Sequence, residues 1–125
     1  METAQLEEKV YRALKEDETI TGLLPNGDKS FFHLKAPSVY PNYPIVVYSV
    51  ISDVPVLHGD NLENLHRVTI RIHIISDENE YPPLYEAVRR VMSQLGFTRV
   101  QSTPFIDEYG KFMMIADFKI LIGSE

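Results

Sequence analysis

Cysteine is absent from this chain of 125 residues. Its absence excludes disulfides, thiolate nucleophiles, and zinc or iron–sulfur sites built from thiolates. Apolar runs long enough to span a bilayer are missing as well, so no membrane partner is predicted. The first residues, 1–8, are acidic, whereas a secretory signal needs a basic start and an apolar stretch. These features predict a protein that folds in water inside the cell.

Clustered positive charge is also missing. Lysine and arginine number 12 against 18 aspartate and glutamate residues, which gives a formal net charge of −6, and the basic residues are dispersed along the chain. A protein that binds DNA phosphates stably gains from the counterions that clustered lysine and arginine release. The sequence therefore predicts no specific binding of nucleic acid, although an acidic surface suits a protein past which DNA slides without sticking.

Sequence motifs of catalysis and cofactor binding are lacking too. No Gly-x-Ser-x-Gly elbow, phosphate-binding glycine loop or dinucleotide fingerprint occurs, because the 6 glycines stand singly. The carboxylate pairs Glu7–Glu8 and Asp107–Glu108 fall at a predicted helix start and in a predicted turn, where acidic residues are ordinarily solvated. His73 alternates with polar residues on a predicted strand, which favours a polar sheet surface. We expect no enzymatic activity and no cofactor.

One metal-binding alternative remains, in the segment between two strong strands. His58, Asp60, Glu63 and His66 could in principle form a site for a small metal-dependent hydrolase. Their spacing matches none of the compact zinc patterns, and solvated loop residues are the favoured interpretation. No metal site is predicted, and the hydrolase stays the lesser alternative.

Two amphipathic helices are indicated by apolar residues at spacings of three and four. Leu6, Val10 and Leu14 predict a helix over about residues 3–15, and Leu84, Val88 and neighbouring apolar residues predict a second that ends at residue 96. A short helical turn over residues 19–24 lies between the first helix and a turn at residues 25–28.

Strand patterns account for most of the remaining chain. Residues 67–74 alternate polar and apolar without a break, so Val68, Ile70, Ile72 and Ile74 should face the core. Residues 45–51 are β-branched or aromatic almost throughout, which suits a central strand covered on both faces. Further strands are expected at residues 30–34, 97–105 and 111–122. The fold class is thus α+β: a single two-layer domain over residues 1–125, with two helices on one face of a mostly antiparallel sheet of four to five strands.

A long connection joins two of the central strands. Residues 52–64 exceed the length that a hairpin needs and carry the apolar side chains of Val54, Val56, Leu57 and Leu62. Apolar side chains on a long loop favour a protein interface, although such a loop also serves to cover the open edge of its own core.

A proline-rich connector at residues 36–44 offers a second candidate interface. It holds Tyr40 and Tyr43, which could contact a partner or simply cap the core. We predict these two tyrosines and the four apolar loop residues as the partner interface.

The order of these patterns resembles the tail completion, or tail-to-head joining, proteins of long-tailed bacteriophages and prophages, which are related in fold to tail terminators. The resemblance covers nearly the whole chain. It rests on residues 6–17 (LEEKVYRALKED), 43–48 (YPIVVY), 66–72 (HRVTIRI), 84–91 (LYEAVRRV) and 114–120 (MIADFKI). These are patterns of core and turn residues without a catalytic signature.

The resemblance implies a structural protein that caps the tail tube and joins it to the head connector. It implies a hexameric ring of this chain on the tail, with the tail-tube protein and the head-connector protein as partners and DNA passing without specific binding. The protein would occupy the cytoplasm of a bacterial host during assembly and the tail or neck of the finished virion. Another neck or tail-tube component, or a small bacterial protein–protein adaptor, is the alternative.

Overall fold

The computed structural model describes residues 2–37, 42–56, 64–78 and 81–124. Within these ranges the chain forms helices, strands and one 3₁₀ turn. In chain order they are α1 (Thr3–Glu16), α2 (Glu18–Gly22), the 3₁₀ turn (Gly27–Ser30), β1 (Phe31–His33), β2 (Ile45–Pro55), β3 (Asn64–Ser76), α3 (Tyr81–Gln94), β4 (Thr98–Ile106) and β5 (Phe112–Ser124). The predicted elements are therefore present, with boundaries shifted by a few residues.

The first two helices are separated by a single aspartate. The carboxylate of Asp17 accepts a hydrogen bond from the backbone N–H of Ile20 at 3.1 Å, which caps α2, and it also binds Arg90 of α3 at 2.9 Å. Burial alone would raise the pKa of Asp17, but the bonds from Arg90 and Ile20 outweigh that effect and the pKa lies below its ordinary value. Asp17 thus fixes the angle between α1 and α2 and attaches both to α3.

The sheet contains five strands in the order β1-β2-β3-β5-β4. All neighbouring pairs are antiparallel except β1 and β2, which run parallel with Phe31 beside Val46. The structure confirms the α+β class and the mostly antiparallel sheet. The parallel pairing of β1 is an addition, because a strand of 3 residues carries too little sequence pattern to indicate its direction.

The main core lies between the helices and one face of the sheet. The four alternating residues predicted from β3, Val68, Ile70, Ile72 and Ile74, are each 0% exposed. They pack in one cluster with α1 and α3, to which the helices contribute Leu6, Val10, Leu14, Leu84, Val88, Val91 and Met92. The helix-facing side of β3 is therefore the centre of the molecule. Among the described residues, no helix is both long and apolar enough to cross a membrane.

A smaller apolar cluster lies on the opposite side of the sheet, which we call the helix-free face because no helix of the described residues packs on it. Ile45, Val47 and Ile75 are buried there, with Phe32, Tyr43 and Met113 packed around them. Consecutive residues at the start of β2 are therefore buried on alternate faces, as predicted for residues 45–51. This burial does not extend to the end of the predicted segment, however, because Ile51 is 43% exposed.

The connection between β2 and β3 is shorter than predicted. The strands continue to Pro55 and begin again at Asn64, so Val54 lies in β2 and the connecting segment covers residues 56–63. An irregularity between Val50 and Ser52 leaves Ile51 without a partner in the ladder. Such a bulge interrupts the alternation of polar and apolar residues. For this reason the sequence pattern at the end of β2 predicts a loop and not a strand.

Two isoleucine substitutions separate the contribution of the core from that of the surface. Ile72→Ala should lower the free energy of unfolding by about 2–5 kcal/mol, because it leaves a cavity in a closely packed core. Ile51→Ala removes the same atoms from an exposed bulge and should cost less than about 1 kcal/mol. Urea unfolding followed by circular dichroism measures both, and equal effects would contradict this assignment of the core.

Candidate assembly surfaces

The helix-free face carries an ion pair at its centre. The guanidinium of Arg71 on β3 donates to both carboxylate oxygens of Asp117 on β5, with Nε–Oδ1 at 2.8 Å and Nη2–Oδ2 at 3.0 Å. On the other side, Nε2 of Gln101 on β4 donates to Oδ2 of Asp117 at 2.9 Å. The residue Asp117 is only 3% exposed, so these bonds satisfy a carboxylate that water hardly reaches.

This network shifts the pKa values of its members. The hydrogen bond from Arg71 is the largest cause of a lowered pKa at Asp117; burial opposes it and Gln101 reinforces it. The same pair raises the pKa of Arg71. His73, two residues along β3, has a lowered pKa because it is partly buried and lies near the positive charge of Arg71. His73 lies on the expected face of β3 and is half-buried.

A second polar contact lies where the connecting segment leaves the sheet. Nδ1 of His66 on β3 is 2.5 Å from Oδ1 of Asp53 on β2, and the hydroxyl of Thr3 at the start of α1 donates to Oδ2 of the same carboxylate. The bonds from Thr3 and then His66 lower the pKa of Asp53. Nε2 of His66 is buried and has no hydrogen-bond partner among the described residues. The contact joins α1, β2 and β3 at the base of residues 56–63.

The proposed interface residues that the structure describes, Val54, Val56 and Tyr43, lie at or next to the two ends of β2. Val54 is 42% exposed and stands opposite Arg67, and the backbone N–H of Val56 donates to the carbonyl of Leu65 at 2.9 Å. Tyr43 precedes the other end of β2 and packs on the smaller apolar cluster. Tyr40, Leu57 and Leu62 lie outside the described residues. An interface role for the six residues stays a prediction, although Tyr43 has the core contacts of the alternative interpretation.

The metal-binding alternative gains no geometric support. His66 is the one member of its four residues that the structure describes, since His58, Asp60 and Glu63 fall in residues 57–63. Within the described ranges, no group of three histidine or carboxylate residues is close enough together to hold a metal ion.

Strand β4 forms an open surface that the sequence interpretation did not single out. It is an edge strand of 9 residues, and every side chain along it is exposed except Ser102, which is partly buried. Apolar residues are among them: Val100 is 51% exposed, Phe105 39% and Ile106 60%. Pro104 was the available signal, because proline within a strand is found mainly at sheet edges. An edge strand with exposed apolar side chains is a ready pairing surface.

A basic groove runs beside β4. The groove has a volume of about 940 Å³ and is lined by Arg89 and Arg90 of α3 and by Arg99 of β4, among other residues. Arg89 is paired with Glu86, and Arg90 with Asp17. Arg99 donates instead to the hydroxyl of Tyr85 at 2.9 Å. The arginines are therefore held in place by their own chain.

Comparisons with known proteins give a match at the level of fold. One similar solved structure is a chain described as "Virion of native gene transfer agent (GTA) particle", with a TM-score of 0.65 and 12% sequence identity over 92% of this chain and 92% of that chain. No protein-family model matches the sequence. No curated protein matches it either. The chain thus shares its fold with that chain over nearly the full length of both.

The ion pair on the helix-free face should contribute to stability in a pH-dependent manner. Because the pKa of Asp117 is lowered on folding, its contribution is complete above the ordinary value of 3.8 and is lost as the pH falls through the lower folded pKa. At pH 7, Asp117→Asn should lower the free energy of unfolding by about 2 kcal/mol. Below about pH 4, the free energy of unfolding of this variant should decline less steeply with falling pH than that of the wild type. Urea unfolding at several pH values measures this. Asp28→Asn, at an exposed turn, is the control and should keep the wild-type decline.

Proposed function

We propose that this chain is a structural subunit of a phage-derived particle. The observation that carries the proposal is the likeness of fold to a virion chain over 92% of both chains. The similarity extends over nearly the full length of both chains and is not limited to a helix–sheet fragment. The proposed role is structural, and the open surfaces of the described residues support it.

The finer role that we propose is completion of the tail: a ring of this chain caps the tail tube and meets the head connector. A closed ring is built from heterologous contacts, so each subunit needs two different complementary patches. The described residues include several distinct open surfaces, among them the β4 edge and the end of β2 at Val54. The net charge of −6 suits passage of DNA through the assembly.

Another neck or tail-tube component is the closest alternative, and a bacterial adaptor is the next. The likeness to a virion chain favours a particle protein over an adaptor. The position of the chain within the particle is tested on particles.

Deletion of the gene is the direct test of the tail-completion role. We expect DNA-filled heads and separate tails that fail to join, because each half-particle would assemble without the ring that connects them. Electron microscopy of lysates and a count of infectious or DNA-transferring particles measure the result, with the gene restored in trans as the control. Normal joined particles without the gene would overturn the proposal, whereas loss of the tails themselves would indicate a tube component.

Ring formation can be tested with purified protein and a matched pair of variants. Light-scattering mass across a hundredfold range of concentration should show a defined ring-sized oligomer. Val56→Asp, directly after β2, should weaken that association at least tenfold, because an apolar contact would have to accommodate a charge. Leu23, which follows α2, is 38% exposed. Leu23→Asp is therefore the control and should leave the mass unchanged. A mass unaffected by Val56→Asp would remove this end of β2 from the interface.

A further inference from the structure

The five-stranded sheet has two open edges on opposite sides of the molecule. Strand β1 is one edge and β4 the other, and within the described ranges each pairs with a single neighbour. Both edges carry exposed apolar residues: Leu34, which follows β1, is 64% exposed, and Ile106 at the end of β4 is 60% exposed. Open edges of this kind tend to pair with another chain unless something covers them.

The directions of the two edge strands are complementary. Strand β1 is parallel to β2, and each of the steps from β2 to β3, β3 to β5 and β5 to β4 reverses the direction. Strands β1 and β4 therefore run in opposite directions. If one copy of the molecule is placed beside another in the same orientation, β4 of the first meets β1 of the second in the antiparallel arrangement.

The register aligns the two edges as well. His33 lies beside Tyr48, Tyr48 beside Ile72, Ile72 beside Ala116, and Ala116 beside Ser102. His33 and Ser102 are thus the two ends of one row across the sheet, on its helix-facing side. Two neighbouring copies that are not shifted along the strand direction would bring Ser102 of one copy next to His33 of the other.

Backbone groups at both positions point outward. The N–H of Asp107 donates to the carbonyl of Lys111 across the β4–β5 turn, so by alternation the nitrogens of Ser102 and Pro104 face away from β5. Pro104 agrees with this, since it has no N–H to give. On the other edge, the N–H of Leu34 donates to Tyr48 at 2.9 Å, so the N–H of His33 faces the open side. Each edge therefore offers, at the same row, a backbone donor that has no partner among the described residues.

We propose that copies of this chain associate by pairing β4 of one copy with β1 of the next, so that the sheet continues from subunit to subunit. The proposal rests on the ring-forming role described above and specifies its contact. A second copy is the occupant because the chain itself supplies both edges with matching direction, row and outward donors. In a closed ring neither β1 nor β4 is left as an open edge, which lowers the aggregation risk that an exposed edge carries.

Single cysteines provide a direct test, because the native chain has none and gives no background. His33→Cys and Ser102→Cys are made on separately tagged chains, mixed and treated with a short bifunctional thiol crosslinker. Pro104→Cys and Ile106→Cys, on the same face as Ser102, cover a shift of register in the ring. Thr103→Cys points to the other face and is the control. We expect His33→Cys to link to one of the three at least tenfold more than to Thr103→Cys.

Two outcomes of the crosslinking would overturn the proposal. Linkage of Ser102→Cys only to itself would mean that two β4 strands pair symmetrically, which gives a dimer and not a ring. Absence of any link from His33→Cys in a sample whose mass shows the oligomer would mean that another surface holds the copies together.

A proline substitution tests the backbone pairing separately. Ser102→Pro removes the outward donor without taking a bond from β5, and Ser102→Ala removes the side chain but keeps the donor. We expect Ser102→Pro to weaken the oligomer at least tenfold by light scattering, and Ser102→Ala to leave it intact. Circular dichroism verifies the fold, and if Ser102→Pro does not fold, the crosslinking result decides. An intact oligomer of folded Ser102→Pro would contradict the proposal.

The proposed function and the proposed contact can fail separately. If particles need the gene for joining but the oligomer involves neither β1 nor β4, the proposed contact alone is overturned. Normal particles without the gene, together with a link between His33→Cys and β4, would overturn the tail-completion role and leave the contact standing.

Discussion

The architecture depends on the burial of one face of β3. Its alternating apolar residues, Val68, Ile70, Ile72 and Ile74, lie fully covered beneath the helices. Because successive side chains of a strand point to opposite faces, this burial determines which face of β3 receives α1 and α3. It also determines that Arg71 and His73 lie on the other face, where partners come from neighbouring strands and not from a helix.

Much of this arrangement can be predicted from the sequence. The helices and β3 follow from periodicity, since apolar spacing of three to four residues and strict alternation are local signals. The pairing of β1 with β2 and the outer position of β4 are contacts between distant parts of the chain, which local patterns do not contain. The Arg71–Asp117 pair has a partial signal: Asp117 is a lone charge within an apolar run, and a buried charge requires a partner. Which cation supplies it depends on the register.

The candidate surfaces were harder to predict than the fold. The sequence predicts that Val54 and Val56 lie in a loop, whereas the structure extends β2 so that Val54 belongs to a strand. Exposure of β4 on both faces follows from the fact that the helices pack mainly over the other strands, a property of the layers and not of residues 98–106 themselves. A two-layer domain with one open sheet face and two open edges is suited to assembly. The core under the helices stabilises the fold, while the other sheet face and the edges remain available for partners.

The ion pair across β3 and β5 has a consequence for how the strands find their correct alignment. Alternating apolar residues exclude a slip by one residue, which would turn the core side chains toward solvent, but a slip by two keeps every apolar residue on its proper face. After such a slip Asp117 would stand beside Thr69 or His73 in place of Arg71, and a nearly inaccessible carboxylate would lose its cation. The pair therefore discriminates between alignments that hydrophobic burial treats as equivalent, and it gives a long two-sided strand a single register.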